Sequence, residues 1–132
     1  MELHLKIIGY ILVVLGLIHI SFPKYFDWRK DLASISLINR QMMYVHTFFI
    51  GFIVLLIGLL CLYASRDILH TALGRLLALG LFLFWSVRLA TQFFGYSPKL
   101  WRGKRFETIM HVIFSILWVY LTVVFFLIFW GG

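Results

Sequence analysis

Charge is what this sequence has least of. Of its 132 residues, 13% are Asp, Glu, Lys or Arg, whereas 63% are hydrophobic. A soluble domain runs near half apolar and about a quarter charged. A small fold has much surface for its volume and cannot hide such an apolar majority from water. This shortage excludes a water-soluble enzyme and a disordered segment. Cysteine is nearly missing too. Cys61 stands alone, so the chain has no internal disulfide, no redox pair and no thiolate metal cluster. The sequence also lacks a phosphate-binding glycine loop, a nucleophile elbow and a zinc-protease motif.

What it has is long apolar runs. A bilayer core of about 30 Å takes about 20 apolar residues of helix. Four segments meet that length, residues 3–22, 42–63, 72–95 and 108–130. The second and fourth contain no formal charge, the third carries Arg75 and Arg88, and Pro23 ends the first. Lipid offers no partners to open backbone groups, so helices are the natural spanning structure. A β-barrel strand needs alternation of apolar and polar residues, and runs 48–62 and 119–130 show none. The first run is longer than a signal-peptide core, and no small-residue cleavage pattern follows it. The expected fold is all-α, an integral membrane antiparallel four-helix bundle forming a single domain over residues 1–132.

Orientation follows from the Lys and Arg count in short loops. Lys24, Arg29, Lys30, Arg40, Lys99, Arg102, Lys104 and Arg105 lie on one side, and Lys6, Arg66 and Arg75 on the other. This imbalance predicts cytoplasmic loops at 23–41 and 96–107, both termini outward, and residence in the inner membrane. It also accounts for most of the net charge of +7. Basic residues that flank spans point to anionic lipid headgroups rather than nucleic acid. The first loop mixes Tyr25, Phe26 and Trp28 with Lys24, Arg29 and Lys30. Leu32, Ile35 and Ile38 follow at near-helical spacing. This predicts a short interfacial helix, with Ser36 or Asn39 capping the second span. Tyr96 and Trp101 are the matching interfacial aromatics of the other loop.

Two further patterns concern packing. Gly9 and Gly16 are seven apart in the first span, as are Gly51 and Gly58 in the second, and Gly74 and Ala78 are four apart in the third. Small residues let membrane helices approach closely. The run from Pro23 to Lys30 is echoed by the run from Pro98 to Lys104, and a histidine stands near the start of each following span. Either a duplicated two-helix hairpin or the general attraction of Trp, Arg, Lys and Pro to interfaces accounts for this.

Polar residues inside a membrane are costly, so each is a functional candidate. His19, His46, His111, Arg88 and Gln92 all fall roughly 5–12 Å inside the cytoplasmic boundary, taking about 1.5 Å per helical residue. Arg88 and Gln92 are four apart and share a helix face, as do Glu107 and His111. Glu107 is placed to pair with Arg88 or to orient His111. A buried Arg keeps its charge and needs a carboxylate, a phosphate or a propionate beside it. Against this, a lone His can sit in the headgroup zone, and an Arg near a helix end can snorkel. His4 and His70 lie at the outer boundary.

The stretch from Phe26 to Leu32, with Asn39, Arg40, Gln41 and His46, resembles a group of small uncharacterised four-span bacterial inner-membrane proteins. So does the later stretch through Phe84, Trp85, Arg88, Leu89, Gln92, Phe93, Phe94, Trp101 and His111. The resemblance implies a four-helix inner-membrane protein and no particular activity.

Three functions fit these residues. The first is a non-catalytic accessory subunit or assembly factor of a larger membrane complex, held to other subunits or to its own copies. The second is an electron-transfer protein with haem b or a transition metal on His19, His46 and His111. In it, Arg88 meets propionates, and Gln92 or Glu107 supports the ligands. The third is a binder or enzyme for a lipid or quinone. There Arg88 and Gln92 hold the head, and a histidine serves as acid or base.

Overall fold

The computed structural model describes residues 1–131. Its elements are α1 (Glu2–Ile18), α2 (Phe22–Tyr25), α3 (Trp28–Asp31), α4 (Leu37–Tyr63), α5 (Ser65–His70), α6 (Ala72–Phe94) and α7 (Arg105–Gly131). Two 3-10 turns, His19–Ser21 and Pro98–Leu100, complete the helical segments, and there is no strand among the described residues. Four segments are long and apolar enough to cross a membrane: Glu2–Tyr25, Leu37–Tyr63, Ala72–Phe94 and Arg105–Gly131. These are the four expected spans, each with its own shift at the ends.

The shifts have local causes. Pro23 does not stop the first span, because it sits in the first turn of α2, where its missing N–H is no loss. The second span begins five residues before the expected start. The Ser36 hydroxyl caps it by accepting the N–H of Asn39 at 3.4 Å, so the polar run Asn39-Arg40-Gln41 is helix rather than loop. The expected interfacial helix is two single turns, α2 and α3, hinged at Asp27. Asp27 has a φ of 51°, a left-handed conformation that Asp tolerates better than most residues. Leu32 and Ile35 lie in the turn that follows, and Ile38 already belongs to α4. At the start of α6 the Thr71 hydroxyl accepts the N–H of Gly74 at 2.9 Å.

The chain falls into two compact units, Glu2–Ser65 and the residues from Arg66 onward. In the first unit α1 and α4 form an antiparallel hairpin. Leu5, Ile8, Gly9, Leu12, Leu15 and Gly16 of α1 are buried, with Gly51, Val54, Gly58 and Cys61 of α4. These positions recur every three or four residues, the seam of a coiled-coil-like contact. The spaced glycines meet across that seam. A Cβ on Gly9 would come within 2.9 Å of the Gly58 carbonyl, and one on Gly16 within 2.7 Å of the Gly51 carbonyl. Both contacts require hydrogen where other residues carry carbon. Near the open end, Lys6 Nζ donates to the Leu62 carbonyl, placing a cation at the negative end of α4. Near the turn, Trp28 is buried and meets the edge of Tyr44 at 5.5 Å. It anchors the loop to α4 while Tyr25 and Phe26 stay exposed.

The second unit is the hairpin of α6 and α7, with α5 packed at the start of α6. Gly74 serves that last contact. A Cβ there would stand 2.3 Å from the Asp67 carbonyl and 2.4 Å from that of Ile68. Farther along, Phe82 meets Phe126, Trp85 meets Trp118, and Gln92 meets His111. The numbers rise on one helix as they fall on the other, so the pair is antiparallel. The contacts run from an aromatic middle to a polar end beside the connecting loop.

Candidate functional site

That polar end gathers three of the predicted residues. Gln92 lies in the last turns of α6 and is 7% exposed, a costly burial for a neutral amide unless both of its ends are bonded. They are. The Gln92 NH2 group donates to His111 Nδ1 at 2.9 Å and approaches the His111 carbonyl at 3.5 Å. Its Oε1 accepts from the Trp118 indole N–H at 3.3 Å and from the Arg88 guanidinium at 3.4 Å. Trp118 and Arg88 can only donate. They therefore fix the oxygen toward themselves and the NH2 toward the histidine. His111 Nδ1 must then accept, which places the ring proton of the neutral imidazole on Nε2.

The rings around this amide are stacked tightly. Trp101, from the loop, lies on His111 with centroids 3.9 Å apart and planes within 10°. Phe93 meets the same ring edge-on at 5.8 Å. The Thr108 hydroxyl donates to the Trp101 carbonyl at 2.6 Å and ties the loop to the first turn of α7. The Arg88 guanidinium carbon lies 4.9 Å from the centre of the Trp118 ring and 5.6 Å from that of Tyr96, within the range of cation–π attraction. Beneath them Trp85 stacks on Trp118 at 5.1 Å and 11°. Trp85 is 2% exposed, and its indole N–H has no hydrogen-bond partner.

Glu107 does not take the place expected for it. It is exposed in the first turn of α7, and the contacts expected of it with Arg88 and His111 are made by Gln92 instead. Gln92 shares a helix with Arg88 and faces His111 across the hairpin. Trp118 is a site residue that depth alone does not reveal. Its signal in the sequence is its spacing of seven from His111, which puts both on one face of α7.

His19 and His46 belong to the other hairpin. His19 donates from Nδ1 to the Leu15 carbonyl at 2.7 Å, one turn back, and its ring lies 4.6 Å from Phe22. Gly51 makes room for it, since a Cβ at position 51 would stand 2.6 Å from His19 Cβ. His46 is exposed on α4, as are Met42 and Met43. Among the described residues no group of three or more His, Cys, Asp or Glu is arranged to hold a metal ion. On His111 one nitrogen is committed to Gln92 and a ring face to Trp101. The haem and metal readings gain no support from this geometry.

The class the fold defines is an all-helical protein with four apolar helices long enough to cross a membrane, the mark of a multi-pass membrane protein. No protein-family model matches the chain, and no curated protein or solved structure matches it.

Proposed function

We propose that the chain is a non-catalytic accessory subunit or assembly factor of a larger membrane complex. In this reading it crosses the inner membrane four times as an antiparallel bundle, like the small bacterial proteins its motifs resemble. Both termini are outside, and the loops at 23–41 and 96–107 are cytoplasmic. The observation that supports it is the way the polar layer of the second hairpin is used. Both ends of the Gln92 amide are bound within α6 and α7, so the layer braces two helices against each other. Much of the remaining surface of the long helices is apolar, with Phe48, Phe49 and Phe52 exposed along α4, and is available to lipid and to other helices.

The test is purification of the full chain from its own membrane in mild detergent at native expression. The expected outcome is recovery of a defined membrane-protein partner in fixed ratio, kept through size exclusion and chemical cross-linking. A lone monomer, with no partner after cross-linking in the intact membrane, would overturn the proposal.

A further inference from the structure

Arg88 is the member of the polar layer whose charge nothing on the described chain matches. Its partners are one amide oxygen and two aromatic rings, and none is a carboxylate. A guanidinium has five N–H donors in a fixed fork, and the Gln92 oxygen engages one nitrogen of it. Charged side chains in a membrane span pair with other groups or mark binding sites, and a guanidinium matches the geometry of a carboxylate or phosphate.

The position of the side chain sets where an anion can reach it. Arg88 is rooted six residues before the end of α6, and its guanidinium lies between the Trp118 ring of α7, 4.9 Å away, and the Tyr96 ring beyond the end of α6, 5.6 Å away. The charge is thus within reach of the loop end, where headgroups begin. The same end holds Lys99, Arg102, Lys104 and Arg105 against the single acid Glu107. It also holds the start of α7, whose dipole adds positive potential. The Nε2–H of His111 is a further donor at this depth, since Nδ1 is the nitrogen committed to Gln92. Tyr96 is exposed at this end and Trp101 is half-buried, the ring types that settle at the headgroup level.

We propose that the loop end of the α6–α7 hairpin is a phosphate site that takes the headgroup of an anionic phospholipid. Arg88 supplies the fork, and Lys99, Arg102, Lys104 and Arg105 supply the surrounding field. The Gln92 oxygen and the faces of Trp118 and Tyr96 hold the fork in place before lipid arrives. A guanidinium suits this task because it can give two parallel hydrogen bonds to one phosphate. The site is independent of the protein partner proposed above, and it is measured on the isolated chain.

The experiment is native mass spectrometry of the full chain in detergent, titrated with phosphatidylglycerol, phosphatidylcholine or inorganic phosphate. Phosphatidylglycerol is expected to be retained as one molecule per chain, several-fold better than the zwitterionic lipid. Arg88→Gln is expected to weaken that retention about tenfold, the loss of one charge-assisted pair. Arg88→Lys keeps the charge without the fork and is expected to fall between the two. It also serves as the test if the glutamine variant does not fold, with folding judged by circular dichroism. Inorganic phosphate is expected not to displace the lipid. Equal retention of the two lipids, or unchanged retention in a folded Arg88 variant, overturns the site. Displacement by inorganic phosphate at matched concentration overturns the lipid as its occupant.

Discussion

A side-chain amide offers donors at one end and an acceptor at the other, and at position 92 both ends are occupied. Replacing Gln92 with Leu removes the acceptor for Trp118 and Arg88 and the donor for His111 in one step. Interhelical polar contacts in membranes are worth about 0.6 kcal/mol on average, and unsatisfied buried groups cost about 1–3 kcal/mol. Gln92→Leu is expected to destabilise the α6–α7 hairpin by about 2 kcal/mol, read from unfolding in a mixed detergent titration. Gln92→Asn keeps the amide but shortens its reach and is expected to lose nearly as much. A Leu variant as stable as the parent would show that the amide does not brace the helices. The i,i+4 spacing of Arg88 and Gln92 was legible in the sequence, as was the place of both and of His111 toward the loop end of their helices. Their mutual contact was not, because helix rotation is set by packing that no single span encodes. The same gap explains Glu107, whose charge made it the expected partner although its position in the first turn of α7 leaves it exposed.

Elements tell a different story in the first hairpin, where the closing contact was written into the spacing. Glycines seven apart on α1 meet glycines seven apart on α4, and a seven-residue repeat is the one that keeps a face aligned between two packed helices. Gly16→Val and Gly58→Val each force carbon against backbone and are expected to cost about 2 kcal/mol. Gly80→Ala, where an added Cβ meets nothing within 4 Å, is expected to be neutral or to stabilise α6 by up to about 1 kcal/mol. Thermal unfolding followed by circular dichroism checks all three. No loss at positions 16 and 58 would mean that close approach does not matter there, since helix propensity alone favours replacing Gly at all three positions. The short connections were less legible. Leu32, Ile35 and Ile38 have helical spacing, but the Ser36 cap starts a new helix in the middle of that pattern, and local capping outweighs a weak apolar period.

For the whole molecule, length and composition were sufficient to place four helices long and apolar enough to span a membrane, because about 20 apolar residues in a row have few other uses. The proposed direction rests on charge: eight cations fall in the two loops read as cytoplasmic and three in the segments read as outward. A reporter that works only outside the cytoplasm is expected to be active when fused after Trp130 and silent when fused after Ser97. The reverse pattern would invert the proposed orientation, and with it the leaflet that supplies lipid to Arg88. The two hairpins, Glu2–Ser65 and the residues from Arg66 onward, were not separable in the sequence except through the faint echo of Pro23–Lys30 in Pro98–Lys104.

The two hairpins are also closed by different materials. The first is held where glycine backbone meets glycine backbone. The second is held by indole and imidazole rings, with Trp85 on Trp118 and Trp101 on His111. Electron-rich rings of this kind are prime targets of singlet oxygen and hypochlorous acid, whereas peptide carbonyls and glycine Cα groups are comparatively inert. Oxidative stress therefore falls unevenly on this protein. In the second hairpin its targets are the packed rings around Gln92, whereas in the first hairpin the seam's oxidisable group is the buried thiol of Cys61.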